Sequence, residues 1–317
     1  SAPFHAEGEG VSVRPGQRVL VTGAPGQGAR PIAEQLNPYN VFWAEARFRD
    51  EKARSELEAA GVHTTPFTLG EADLAELPDV DYVIHCAANV APKTADQGIA
   101  VNAEGTGFLM ERYADAAGFF HMSSSSVYRA APDPATPFGE GDPLGGEASY
   151  SPHYAMSKLA SEAVVRFQSR RLGLPTVIAR LNVAYGTSGH GGLPMVLYEF
   201  LRNDMAYTKR PGVDSWCSPI HQDDIVRQVQ GLLDHAEVGG RVVNLGGDEV
   251  VSIEEIIRFL EQLTGLEMRF EEADRGAWET QVLDPTLRRE LAGPCRVAWT
   301  DGVRSSLQQR APDAITA

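Results

Sequence analysis

Two residues one helical turn apart could carry acid–base chemistry. In "SPHYAMSKLASEA" (151–163), Tyr154 precedes Lys158 by four positions. The chain has only four lysines, Lys52, Lys93, Lys158 and Lys209, beside nine tyrosines. At that composition about 0.1 such pairs arise by chance, so the pair alone is suggestive. Ser151 and Pro152 predict a helix start, with Ser as N-cap and Pro as the first helical residue. Residues four apart share a helix face, so both side chains would enter one site. A tyrosine of pKa about 10 is a poor base at neutral pH. A neighbouring ammonium favours the phenolate and lowers that pKa. Such a tyrosine can give a proton to a carbonyl oxygen or take one from a hydroxyl.

Those two side chains need a scaffold. "RVLVTG" (18–23), "VFWAEA" (41–46), "DYVIHCAA" (81–88), "FFHMSS" (119–124), "PTVIARL" (175–181) and "RVVNLGG" (241–247) are short apolar runs that read as buried strands. Between them "QGARPIAEQL" (27–36), "DEKARSELEAAG" (50–61), "NAEGTGFLMERYADAAG" (102–118) and 151–173 read as helices. Strands alternating with helices predict parallel βαβ units whose sheet is covered on both faces. "VTGAPGQGA" (21–29) links the first strand to a helix. Its glycines would let backbone approach a pyrophosphate at the helix N-terminus. Residues 131–149 form a Pro/Gly-rich loop longer than a connector, and "SIEEIIRFLEQLTG" (252–265) returns to helical patterning.

Composition narrows the class. With 317 residues, 43% hydrophobic and 22% charged, the chain has an ordinary globular make-up. Its formal net charge of -15 argues against nucleic-acid or anionic-membrane partners. Cys86, Cys217 and Cys295 show neither metal-ligand nor disulfide spacing, so no metal site and a reducing cytoplasm are expected. Residues 1–16 lack the pattern of a signal peptide and read as a flexible lead.

Taken in order, "VTGAPGQGA", "VIHCAAN", "NAEGT", "HMSSSSVY", "YAMSK", "RLNVAYG" and "IHQDD" resemble the extended short-chain dehydrogenase/reductase superfamily, in its NAD-dependent epimerase/dehydratase group. The resemblance runs from about residue 17 to the C-terminus. It implies a Rossmann-type doubly wound α/β fold with a smaller C-terminal substrate lobe. The dinucleotide-binding domain would take 17–187 and 219–247, and the lobe 188–218 and 248–317. It implies Ser124, Tyr154 and Lys158 as catalytic residues, with Lys158 also holding the nicotinamide ribose. Cofactor contacts would come from Gly23, Pro25, Gly26, Gln27, Gly28, Arg47, Ala87, Ala88, Asn102, Ser123, Leu181 and Val183. Asn89, Ser125 and Asn182 would face a small-molecule substrate. Ala29 stands where the third glycine of the turn usually lies. Asn102 resembles an asparagine that supports the site through backbone contacts. Cys86 reads as a packing residue, and Asp223 or Asp224 as a helix N-cap. The family also implies a homodimer through a four-helix bundle built from 102–118 and 151–173. Ala155, Leu159, Ala160, Ala163, Val164 and Phe167 would supply its apolar stripe.

Departures from the family pattern shape the functional expectation. Sugar dehydratases carry an Asp-Glu pair after the active-site Ser/Thr; here stand Ser125 and Ser126, which makes dehydration unfavourable. Nucleotide-sugar epimerases carry an arginine four residues before the "IH" histidine; here stands Cys217, which cannot bind a diphosphate. Arg202, Lys209 or Arg210 could substitute. "VDSWCSPIH" reads as an apolar pocket wall. An NAD(P)-dependent oxidoreductase acting on a small or medium uncharged carbonyl or alcohol is therefore expected. A nucleotide-sugar 4-epimerase with tightly bound NAD is the alternative, and a non-enzymatic redox-sensing module a third. For the cofactor, the second strand carries both Glu45 and, just beyond, Arg47. A strand starting at Phe42 puts Arg47 on a 2′-phosphate; one starting at Val41 gives Glu45 the ribose. Aligning Phe42-Trp43-Ala44 with the strand core favours NADP, with NAD the alternative.

Overall fold

In the computed structural model, the described residues are 13, 16–23, 26, 28–36, 41–46, 51–129, 136–146, 151–273 and 277–315, with 41–46 described by their backbone. The short apolar runs form the centre. β1 (Arg18–Thr22), β2 (Val41–Ala46), β3 (His63–Pro66), β4 (Tyr82–His85), β5 (Gly118–Ser124) and β6 (Thr176–Leu181) join the strand Arg241–Leu245 in a seven-stranded sheet. All neighbouring pairs are parallel. The spatial order is β3-β2-β1-β4-β5-β6 and then Arg241–Leu245. The order reverses between β1 and β4, and sheets of this kind bind ligands beyond the carboxyl ends of the strands at that point.

Side chains along β1 explain the double cover. Val19 and Val21 pack with Ile32, Ile225 and Val229 on one face, while Leu20 packs with Leu109, Met110 and Val165 on the other. Both faces are apolar, so the strands carry no alternation in sequence. The expected doubly wound Rossmann-type architecture is therefore present. A further core gathers Tyr198, Leu201, Cys217, Ile256, Leu260 and Val303 on the C-terminal side. The helix Ile253–Thr264 enters it through a reciprocal cap: Ser252 Oγ accepts from Glu255 N–H, and the Glu255 carboxylate accepts from Ser252 N–H.

Several local expectations change. β2 starts at Val41, not Phe42, and pairs with β1 from Arg18↔Val41 to Thr22↔Glu45. Glu45 is described by its backbone alone, and Arg47 lies outside the described residues. The 102–118 helix begins earlier, as α3 (Ala95–Gly98) capped by Thr94. It continues as a π-helical stretch, Ile99–Glu104, and then α4 (Gly105–Arg112). Helix α1 spans Ala29–Leu36, α2 Glu51–Ala59 and α5 Pro152–Leu172. Ser151 is the N-cap of α5, but its hydroxyl donates to Val90 O at 3.4 Å rather than capping. Neither Asp223 nor Asp224 caps the helix Gln222–Leu233. His221 does so, its ring accepting from Asp223 N–H. Buried Asp224 instead accepts from the backbone N–H groups of Arg296 and Val297. The edge strand β3 escaped the sequence because "HTTP" has no apolar run. Among the described residues no helix is long and apolar enough to cross a membrane, and no group of three or more His, Cys, Asp or Glu could hold a metal ion.

Candidate active site

The glycine turn follows β1 directly. Gly23 has φ +76°, and a Cβ there would lie 2.9 Å from the Ala87 backbone. Both the left-handed conformation and the close approach require glycine. Gly26 N–H closes the turn on Gly23 O at 2.8 Å, and Arg30 N–H bonds Gly26 O at 3.1 Å. Gly28 precedes α1, and Ala29, at the third-glycine position, is buried. Pro25 and Gln27 lie outside the described residues. A backbone held this close to the β4 end, beside a helix N-terminus, suits a dinucleotide phosphate.

A directed chain of hydrogen bonds fixes the loop after β4. Thr106 Oγ1 donates to Asn102 O at 2.7 Å, so it accepts from His85 Nε2, 2.9 Å away. His85 Nδ1 is then bare and accepts from Thr22 Oγ1 at 2.7 Å; Thr22 in turn accepts from Ala87 N–H at 3.2 Å. Burial pushes the His85 pKa down to about 3, which keeps this neutral tautomer. Asn102 completes the frame. Its Oδ1 accepts from Asn89 N–H at 2.7 Å, and its Nδ2 donates to Asn89 O and to Ser157 Oγ. The side chain of Asn102 thus clamps backbone, and it does so from the π-helical stretch, a local deformation that often accompanies functional sites. Ala87, Ala88 and Asn89 are held half-buried just beyond the carboxyl end of β4.

Ser124 ends β5 and meets Tyr154 from α5. Ser126 donates to Ser124 Oγ through its N–H (3.2 Å) and its hydroxyl (2.9 Å). The Ser124 proton is left for the Tyr154 phenol, and that hydrogen bond favours the phenolate. Burial outweighs it, so the Tyr154 pKa stands above its ordinary value. This corrects the expected lowering by Lys158. The lysine does follow one turn later, but its Nζ donates to Met122 O at 2.7 Å and lies 3.4 Å from His121 Nε2. Lys158 is 1% exposed. Burial lowers its pKa to about 8, against a raising contribution from Glu162.

On the side of the C-terminal core, Asn182 and Ser125 form a clasp. Asn182 Nδ2 donates to Ser125 Oγ (2.9 Å) and to Gln281 O (3.0 Å), and its Oδ1 accepts from Ser218 N–H. Ser125 Oγ donates to Gln281 Oε1 at 2.7 Å. Gln281 had no signal in the sequence, being 156 residues from its partner. Leu181 is half-buried against the sheet core, and Val183 is buried in the C-terminal core. Ser123 is buried and its hydroxyl donates to Glu162 Oε1, a contact not foreseen for a cofactor residue. Cys86 packs against the sheet core, its thiol pushed up to about 12 by burial.

Cys217 corrects an expectation. It is 0% exposed, in the C-terminal core, with Sγ 3.5 Å from Val251 O. It lines no pocket wall. The three cations proposed as substitutes all have carboxylate neighbours: Arg202–Glu199 at 3.6 Å, Lys209–Glu272 at 3.7 Å and Arg210–Glu279 at 3.6 Å.

Strand order and glycine turn define a Rossmann-type α/β fold of the dinucleotide-binding kind. Residues 19–246 match the model of the NAD dependent epimerase/dehydratase family, and the chain belongs to that family, within the extended short-chain dehydrogenase/reductase superfamily. It is 24% identical to a UDP-N-acetyl-alpha-D-glucosaminuronate decarboxylase from Bacillus cytotoxicus, over 92% of this chain and 97% of that protein. The fold matches a UDP-glucuronic acid 4-epimerase from Bacillus cereus, solved with UDP-glucuronic acid and NAD, at TM-score 0.78, 22% identity and 92% and 99% coverage. It also matches a UDP-glucose 4-epimerase from Thermotoga maritima, solved with UDP-glucose, at TM-score 0.79, 18% identity and 92% and 97% coverage.

Proposed function

We propose that this chain is an NAD-dependent nucleotide-sugar 4-epimerase, with Ser124, Tyr154 and Lys158 as its catalytic residues. The observation that carries this is the Ser124–Tyr154 hydrogen bond at the β5 end, with buried Lys158 one turn behind. Similarity to enzymes named for UDP-sugars supports the substrate class. The expectation of a small uncharged carbonyl leaned on Cys217 standing in place of a diphosphate-binding arginine and on "VDSWCSPIH" as an apolar pocket wall; the Cys217 side chain is in the core, which weakens the second ground alone. Lys209 and Arg210 remain as cations for a diphosphate, and the lobe of 188–218 and 248–317 would hold the nucleotide. Ser125 and Ser126 supply no carboxylate for elimination.

The residues fit a dinucleotide, because Gly23 leaves the space that a Cβ would fill. Gly23, Pro25, Gly26, Gln27 and Gly28 would hold its phosphates, Ala87, Ala88, Leu181 and Val183 its nicotinamide half, and Lys158 the ribose. Bound NAD supplies a reversible hydride acceptor. Tyr154 takes the proton of the sugar hydroxyl and later returns it, while Ser124 bonds the same oxygen. Asn89, Asn182 and Ser125 orient the sugar. The test is incubation of purified protein with UDP-hexoses and UDP-hexuronates, with products read by proton NMR. Interconversion of C4 epimers without net NADH supports the proposal. Stoichiometric NAD(P)H turnover on small carbonyls, with no epimer formed, would overturn it.

For the cofactor, a β2 that spans Val41–Ala46 supports the register in which Glu45 would bind the ribose 2′-hydroxyl, and hence NAD. Calorimetry is expected to show NAD bound at least about tenfold tighter than NADP, and Glu45→Gln to narrow the gap. A tighter grip on NADP would return the role to Arg47. Phe108 (37%) and Phe167 (62%), exposed on α4 and α5, support assembly through those helices. A homodimer through these helices is expected, and sedimentation at micromolar concentration reads it; Phe167→Glu should yield monomers.

A further inference from the structure

A buried ion pair lies one helical turn beyond Lys158. Glu162 and Arg180 have side chains 2% and 1% exposed. Arg180 binds the carboxylate with two nitrogens, Nε to Oε1 at 3.0 Å and Nη2 to Oε2 at 2.8 Å, and Ser123 Oγ adds a third bond at 2.7 Å. On its far side Arg180 Nη1 donates to Tyr128 OH (2.9 Å) and Glu140 O (3.0 Å), and its guanidinium lies 4.7 Å from the centre of the Tyr128 ring. Tyr128 OH donates to Asn244 Oδ1 at 2.6 Å. Five elements of chain therefore hold one carboxylate at a fixed place on α5.

The groups facing Lys158 make that carboxylate matter. From β4 and β5 come His85 and His121, both kept neutral by burial, and after β4 comes the neutral thiol of Cys86. On α5 itself stand Tyr154, a neutral phenol, and Glu162. Among the described residues Glu162 is the only carboxylate acting on Lys158. An ammonium in so dry a slot has one nearby counter-charge.

We propose that Glu162, clamped by Arg180 and Ser123, is a positioning residue that keeps Lys158 an ammonium in its buried slot. This rests on Lys158 being the active-site lysine. The consequence is a positive charge held one helical turn behind the phenol, available to the ribose that Lys158 would bind. The geometry makes the effect specific: Glu162 cannot swing away, because both of its oxygens are taken.

The four lysines make a direct test possible. Protein carrying [ε-13C]lysine gives four side-chain signals, and Lys158→Met identifies the one from Lys158. In the parent it should titrate near pH 8. In Glu162→Gln it should titrate roughly one unit lower. That variant leaves Arg180 buried without its partner and could fail to fold, so Glu162→Gln/Arg180→Met, which removes both charges, is measured beside it. The same downward direction is expected there. A purely structural role would alter melting temperature and leave the Lys158 titration in place. An unmoved Lys158 signal in the folded double variant overturns the proposal. Failure of the epimerase proposal would show instead in the sugar assay, with the Lys158 shift intact.

Discussion

Tyr154→Phe is expected to lower turnover by about 10²–10⁴-fold, the usual worth of a positioned acid–base group, while NAD affinity stays within a few-fold. The substitution removes one oxygen from a half-buried ring and leaves the glycine turn, Lys158 and the Asn102 clamp untouched. Ser124 loses the acceptor for its proton, a small local cost. Steady-state assays and calorimetry on the same preparation separate the two effects. Full activity in Tyr154→Phe would remove Tyr154 from the mechanism. The pH profile carries a second signature. The Tyr154 pKa is raised, so oxidation of a hydroxyl should speed up as pH rises through neutrality and the phenol ionises more easily. Lys158 loses its proton above about pH 8, so from there the loss of ammonium offsets the gain in phenolate and the rate should level off. The result is a profile that rises to a plateau, with the bend near pH 8 belonging to the lysine.

Arg180→Met is expected to cost about 3–5 kcal/mol of stability, because it leaves a carboxylate buried with Ser123 Oγ as its remaining side-chain donor. The loss is a large part of the 5–15 kcal/mol that holds a typical domain together. Tyr128 OH and Glu140 O lose a donor at the same stroke. Urea unfolding of Arg180→Met, Glu162→Gln and the double variant measures the coupling. The double variant should recover most of the loss, since removing both charges avoids an uncompensated one. Additive losses would mean that the pair contributes through packing alone.

Much of this molecule was legible in its sequence, because the relevant signals act over a few residues. Apolar runs and helical periods determined the central strands, the helix at α5 and the shared face of Tyr154 and Lys158. The glycine after β1 announced a turn, and the structure shows why nothing larger fits there. The helical patterning of 252–265 is likewise borne out by the helix Ile253–Thr264.

Tertiary structure decided what depends on burial and on distant partners. The direction of the Tyr154 pKa followed from desolvation, which no spacing of residues records. Cys217 faces the core because its two-residue strand pairs with Val251, and a strand that short has no alternation to read. The start of β2 was settled by pairing with β1, since the neighbouring strand and not the apolar run sets where hydrogen bonding begins. Gln281 reaches Ser125 across 156 positions, and Arg180 reaches Glu162 across the face of the sheet. Local chemistry in a sequence specifies which elements form and which side chains share a face. Which charges lose their water, and which partner then compensates them, is determined only when those elements pack.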